Sequence, residues 1–210
     1  MISRAQRILF FTMLVVAVAM AAVLIRLRER AQDRLHAAQT PSPMAEAADV
    51  PPTPVTLLIP NDLDNSLAER QGSLPLPHDD SARARVLLET LLEAFRDPKS
   101  THSIGNPGAD APHGPDINEV FLMPVMQANG QPGADKMAVV NFSAAFAQSH
   151  PAGIEPETLT LLAIIGTLHA NLPAITQVRF LVDGKQRETL AGHADLTRVY
   201  LASSTVPEGQ

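Results

Sequence analysis

Apolar positions follow three different patterns along this chain. From Ile8 to Ile25 they are continuous and carry no charge, from Val55 they come in short runs of strand length, and over Ala82–Phe95 and Glu155–Leu172 they recur at helical spacing. The first run has about the length a helix needs to cross a bilayer. Arg4 and Arg7 before it and Arg26, Arg28 and Arg30 after it read as interfacial anchors. Ala17-Val18-Ala19 also offers a cleavage pattern behind a short apolar stretch, so a signal peptide is the rival reading; the continuation of the run past that site favours an uncleaved anchor. More Arg follow the run than precede it, which by the positive-inside rule would hold the remainder in the cytoplasm, although long domains translocate against such a bias. Leu24, Leu27, Ala31, Leu35 and Ala38 extend the helical spacing beyond the bilayer, and Thr40–Pro54 is a stiff Pro-rich spacer.

In the body, Val55–Ile59 reads as a strand ended by Pro60 and the turn-forming Asn61–Asn65, and Leu67–Leu76 as a second strand interrupted by Gly72. Asp79, Asp80 and Ser81 offer capping oxygens to a helix over Ala82–Phe95, whose Ala84, Leu87, Leu88, Leu91, Leu92 and Phe95 share a face. Asp97–Asp116 has no periodicity and reads as an unusually long loop. Glu119–Met123 and Met137–Phe142 suggest two adjacent strands around a turn at Asn129–Gly133, and Ser143–Gln148 a short helical turn. The helix from Glu155 is apolar nearly all round, so it is central to a core or covered by a partner. Gln177–Val182 is the clearest strand; Asp183-Gly184 signals a hairpin and a return strand over Gln186–Leu190. Strands in runs separated by helices indicate an α+β fold.

Net charge changes the picture only when divided. Residues 1–34 hold six Arg against Glu29 and Asp33, leaving ten basic and twenty acidic side chains beyond, so the body is acidic and lacks the basic footprint that nucleic acid requires. With no cysteine, disulfides, thiolate metal sites and cysteine nucleophiles are excluded.

Five segments in order resemble the GerMN family, a module named from a spore-germination and sporulation protein: Val55–Pro60, Ala82–Leu92, Ala138–Phe146, Val178–Gly184 and Gly192–Leu196. Asn141 stands where an Asp is common, and one copy is present where the founding protein has two. The resemblance implies an α+β fold similar to ring-building motifs, with two main helices packed on a mixed sheet, and a role in envelope assembly through contacts with other envelope proteins or self-association. It implies no catalytic residues, cofactor or metal. The resulting division is a short cytoplasmic N-terminus (1–7), a transmembrane anchor (8–27), a helical extension and Pro-rich linker (28–53), a GerMN-like domain (54–201) and a flexible tail (202–210). The expected location is the cytoplasmic membrane, crossed once, with the C-terminal domain outside.

Candidate chemistry is sparse. Gly192-His193-Ala194-Asp195 could supply a general base to an envelope hydrolase, but at this spacing Asp195 is expected to fix a turn by accepting backbone N–H bonds. Asp183 and Gly184 complete this structural motif. His102, Asp110, His113 and Asp116 could ligate a metal by residue type, without a compact ligand signature. Ser143 lacks a nucleophile elbow. A peptidoglycan-binding module is disfavoured by the absence of Trp and a single Tyr. Ala163, Gly166, Thr167 and Ala170 form a small-residue flank on the long helix and are a candidate interaction surface; a bland core would bury that flank under the Ala82–Phe95 helix.

Overall fold

The computed structural model describes residues 51–102, 104, 114–128 and 130–204. The expected anchor (8–27) and most of the linker (28–53) lie outside the described residues, among which no helix is long and apolar enough to cross a membrane. Strand β1 (Thr53–Asn61) turns through Asn65, at φ 57°, into the antiparallel β2 (Ser66–Leu74), and these two make a sheet of their own. Helix α1 (Asp80–Phe95) follows, with the Asp79 carboxylate accepting from the Ala82 N–H as its N-cap. Its six buried side chains are the six whose spacing shares a face.

Strands β3 (Ile117–Met126) and β4 (Pro132–Phe142) pair antiparallel around the expected Gly/Pro-rich turn. The chain then crosses over through α2 (Ala144–Ser149) and α3 (Ile154–Asn171) to β5 (Ile175–Val182), parallel to β4. A two-residue strand β6 (Tyr200–Leu201) closes the order β3-β4-β5-β6, a mixed sheet. Alternation sets its faces: Ala138, Val140, Phe142, Val178 and Phe180 are buried under the helices, while Phe121 and Met123 remain exposed on the other side.

The return strand over Gln186–Leu190 is absent. Asp183 (φ 48°) and Gly184 (φ 71°) do reverse the chain, but the return closes a single bridge between Val182 and Lys185. The edge of β5 at Gln177 and Val178 is instead taken by Leu201 and Tyr200, and Leu190 leaves the ladder to be fully buried in the core. Burying Leu190 removes its apolar side chain from water, which favours the departure from the ladder. Of the expected flexible tail (202–210), Ala202–Ser204 form a 3-10 turn with Ala202 fully buried, and the rest lies outside the described residues.

Helix α3 lies along the open edge of β1. Thr167 Oγ1 accepts from the Leu58 N–H at 2.9 Å, and Asn171 both accepts from the Thr56 N–H at 2.9 Å and donates to its carbonyl at 2.7 Å. Four helical residues rise about 6 Å and two strand residues about 6.7 Å, so helix positions i and i+4 match strand positions j and j−2. The helix thus satisfies edge amides that a third strand would otherwise pair. Gly166 lies at this contact, where a Cβ would stand 2.5 Å from Leu58 Cδ2 and the Leu58 side chain would have to shift.

Candidate functional site

Two polar clusters hang on α3, and each contains histidine. In the first, the Glu157 carboxylate is fully buried. Its Oε2 accepts the backbone N–H groups of Ala191, His193 and Ala194 at 2.9, 3.0 and 2.9 Å. Its Oε1 accepts the Gly153 N–H at 3.1 Å and lies 3.0 Å from His193 Nδ1. Gly192, at φ 131°, takes the backbone conformation that lets the N–H groups on both sides of it converge on one oxygen. Burial by itself would raise the Glu157 pKa, but the N–H bonds from Ala191, Ala194 and Gly153 and the His193 side chain outweigh it and hold it down to about 2. Because this carboxylate only accepts, neutral His193 carries its proton on Nδ1 and keeps an Nε2 lone pair.

His193 lines a cleft of about 280 Å³ with Thr158, Leu161, Leu162, Ala194, Asp195, Arg198 and Tyr200. Arg198 stacks 4.3 Å over the Tyr200 ring, and the Tyr200 hydroxyl donates to the Asp195 carbonyl at 2.5 Å. Asp195 does not meet His193: its Oδ1 accepts from the Thr197 hydroxyl at 2.6 Å and N–H at 2.7 Å, bonds that lower its pKa. The cleft therefore holds one oriented base and no Ser or Cys to serve as a nucleophile.

The second cluster is a chain of hydrogen bonds through the core. Asp62 Oδ1 lies 2.7 Å from His102 Nδ1, and His102 Nε2 lies 2.8 Å from Thr160 Oγ1. The same hydroxyl is 2.8 Å from His150 Nε2, and His150 Nδ1 is 2.9 Å from the Pro151 carbonyl. His102 and Thr160 are fully buried and His150 nearly so. Burial, reinforced by the neighbouring His102, lowers the His150 pKa below its usual 6.5 against the opposing pull of the Pro151 carbonyl, Glu157 and Asp62.

Residues singled out in the sequence are thus distributed over several sites. Asp183 Oδ1 accepts from the Ala144 N–H at 3.0 Å and from Asn118 Nδ2 at 3.1 Å, and Asn141 Oδ1 accepts from the Gly184 N–H at 2.7 Å, so the Asp183-Gly184 turn is tied to β4 and the start of α2. Of the loop residues weighed as metal ligands, His102 joins the core chain, Asp116 forms a two-pronged ion pair with Arg96, and Asp110 and His113 lie outside the described residues. Among the described residues no group of three or more His, Cys, Asp or Glu could hold a metal ion. Ser143 caps α2 by accepting from the Phe146 N–H at 3.1 Å.

The small-residue flank is not an open surface. Ala163, Gly166 and Thr167 are buried, with Gly166 and Thr167 against β1 rather than under α1, and only Ala170 is exposed. Glu157 and Thr160, which organise both clusters, were missed in the sequence. The sequence offered little signal for them, since the first turns of the helix also carry Glu155 and Thr158, and only burial separates Glu157 and Thr160 from these neighbours.

The family model described as Germane, sporulation and spore germination, matches residues 60–188. The tandem GerMN domains of the sporulation protein GerM from Bacillus subtilis are 14% identical, over 70% of this chain and 45% of that one, with a TM-score of 0.39. The chain therefore spans less than half of that tandem structure. The first GerMN domain of the same protein is 15% identical over 70% of this chain and 94% of that one, with a TM-score of 0.38. A putative lipoprotein from Clostridium perfringens is 17% identical over 74% and 91%, with a TM-score of 0.33. No curated protein matches the chain.

Proposed function

The chain belongs to the Germane family of sporulation and spore germination domains, and from that premise we propose that it is a membrane-anchored scaffold of the bacterial envelope. In this reading the uncharged run Ile8–Ile25 anchors it, the Pro-rich segment spaces the domain from the bilayer, and the domain outside the cytoplasmic membrane binds another protein. The reading is not enzymatic: the histidines bonded to Glu157 and Thr160 of α3 hold segments together, and the cleft beside His193 is lined by no Ser or Cys.

The observation that carries it is the outer face of the four-stranded sheet. Cross-strand pairing lines up Phe121, Val139 and Arg179 in one row and Met123, Met137 and Gln177 in the next, with Leu201 at the end. Phe121, Met123 and Leu201 are 44%, 43% and 55% exposed, a concentration of large apolar side chains on one face. Arg179 Nε, among them, is buried without a hydrogen-bond partner. A protein presenting an apolar surface with a carboxylate beside Arg179 fits this face, since it would set an opposite charge against the guanidinium while covering the apolar rows.

Crosslinking the intact protein in its own membrane tests this. Phe121→Glu and Arg179→Glu are expected to abolish the crosslinked product with little change in thermal midpoint, whereas Glu89→Arg on the exposed side of α1 leaves it unchanged. Capture that survives both sheet variants would refute this docking face. A reporter fused after Gln210 that is active only in the cytoplasm would refute the topology.

A further inference from the structure

The proton inventory of the core chain determines its charge. A carbonyl only accepts, so His150 Nδ1 carries a proton facing Pro151; the Asp62 carboxylate likewise requires a proton on His102 Nδ1. Between the two Nε2 atoms stands one hydroxyl with one hydrogen. If both imidazoles were neutral, Thr160 could donate to only one of them and the other lone pair would face its oxygen. One extra proton resolves the conflict, and it belongs on His102, which has the carboxylate at 2.7 Å where His150 has only a carbonyl. The resolved arrangement is Asp62 anionic, His102 cationic, Thr160 accepting from His102 and donating to His150, and His150 neutral.

This chain fastens four pieces of the molecule at one point. Asp62 belongs to the tip of the β1–β2 hairpin, His102 to the segment after α1, His150 to the α2–α3 connection and Thr160 to α3. The Thr101 hydroxyl adds a bond to Asn61 at 3.1 Å beside Asp62. A second proton entering the chain must go to His150 Nε2. It takes away the acceptor of the Thr160 hydroxyl and sets two buried cations against each other with ring centroids 6.4 Å apart.

We infer that the Asp62–His102–Thr160–His150 chain is an acid-sensitive latch, which holds the hairpin tip and the Ser100–His102 segment on α3 at neutral pH and releases them when His150 is protonated. The groups facing His150 are His102, Asp62 and Glu157; the two carboxylates attract the incoming proton, and burial together with cationic His102 resists it. Since the folded His150 binds its proton below the ordinary 6.5, the latch is fully closed above that value and lost as pH falls through the folded pKa. The inference concerns control of the domain and stands apart from the docking face of the sheet.

Hydrogen exchange on the full chain reads the latch directly, after correction for the intrinsic pH dependence of exchange. Between about pH 7.5 and about pH 5, exchange at Ser100–His102 and Asp62 is expected to rise severalfold, with Val140 and Phe180 unchanged. His150→Gln keeps a carbonyl oxygen for Thr160 and an amide donor for Pro151 without titrating, so it should stay closed across the range. An unchanged wild type, an equal rise in His150→Gln, or an equal rise at Val140 and Phe180 would overturn the latch. Should His150→Gln not fold, the titration of the His150 ring in the wild type decides: its midpoint must coincide with that of the exchange, and separated midpoints reject the proposal.

Discussion

Helix α1 buries six residues, all of them apolar, whereas α3 buries ten, including Glu157, Thr160 and Thr167. Polar groups on α1 stay near the surface, where Arg85 pairs with Glu89 at 2.7 Å with both side chains over 40% exposed. Polar groups on α3 reach other parts of the chain: Glu157 holds the loop around Gly192, Thr160 joins two histidines, and Thr167 and Asn171 bind β1. One helix is held by area removed from water and tolerates exchange of its charged residues. The other depends on pairings that are expensive to leave half made.

The sharpest break of this contrast is Glu157→Ala, which leaves several backbone N–H groups buried without their acceptor. It should cost about 3–4 kcal/mol in urea unfolding. Its pH signature has a fixed sign: the folded pKa is depressed from 4.5 to about 2, so the carboxylate's contribution is present above the higher value and lost as pH falls through the lower. The wild type should therefore lose more stability in that window than the variant, which keeps only the smaller contributions of groups such as Asp195 and Asp80. Thr160→Val comes next, at about 2–3 kcal/mol, because both His102 and His150 lose a partner inside the core.

Gly166→Ala is expected to cost about 1 kcal/mol, the clash with Leu58 exceeding the gain in helix propensity. With Leu58 shortened to Ala, the same substitution should become stabilising, and a double-mutant cycle measures the difference. At the small end, Arg85→Ala on α1 should change stability by less than about 0.5 kcal/mol. A larger loss there than at Thr160 would reverse the comparison between the helices.

Periodicity made α1, α3 and the strands β1, β3, β4 and β5 legible, because each places its apolar residues at the spacing its backbone demands. What could not be read was which groups meet. The apolar circumference of α3 is equally compatible with a core and with a partner, and the decision rests on Leu58 facing Gly166 across 108 positions of sequence. Asp195 accepts the Thr197 N–H, as the turn expected at this spacing requires, whereas the carboxylate facing His193 is Glu157, on a different element and not legible beforehand. The Asp183-Gly184 turn was visible but not the departure that follows, since the burial of Leu190 that draws the chain away is a tertiary effect.

The covering of β1 by α3 also has a consequence in time. Asn171 and Thr56 are 115 residues apart, so the first strand of the domain to be synthesised is sealed by one of the last helices. At about 5–20 residues per second, the edge amides of Thr56 and Leu58 wait on the order of ten seconds for their partners during synthesis. Through that interval the hairpin presents a strand edge to any neighbouring nascent chain, and closing so long a loop is intrinsically slow. A chain ending before Thr167 would keep that edge exposed after release from the ribosome.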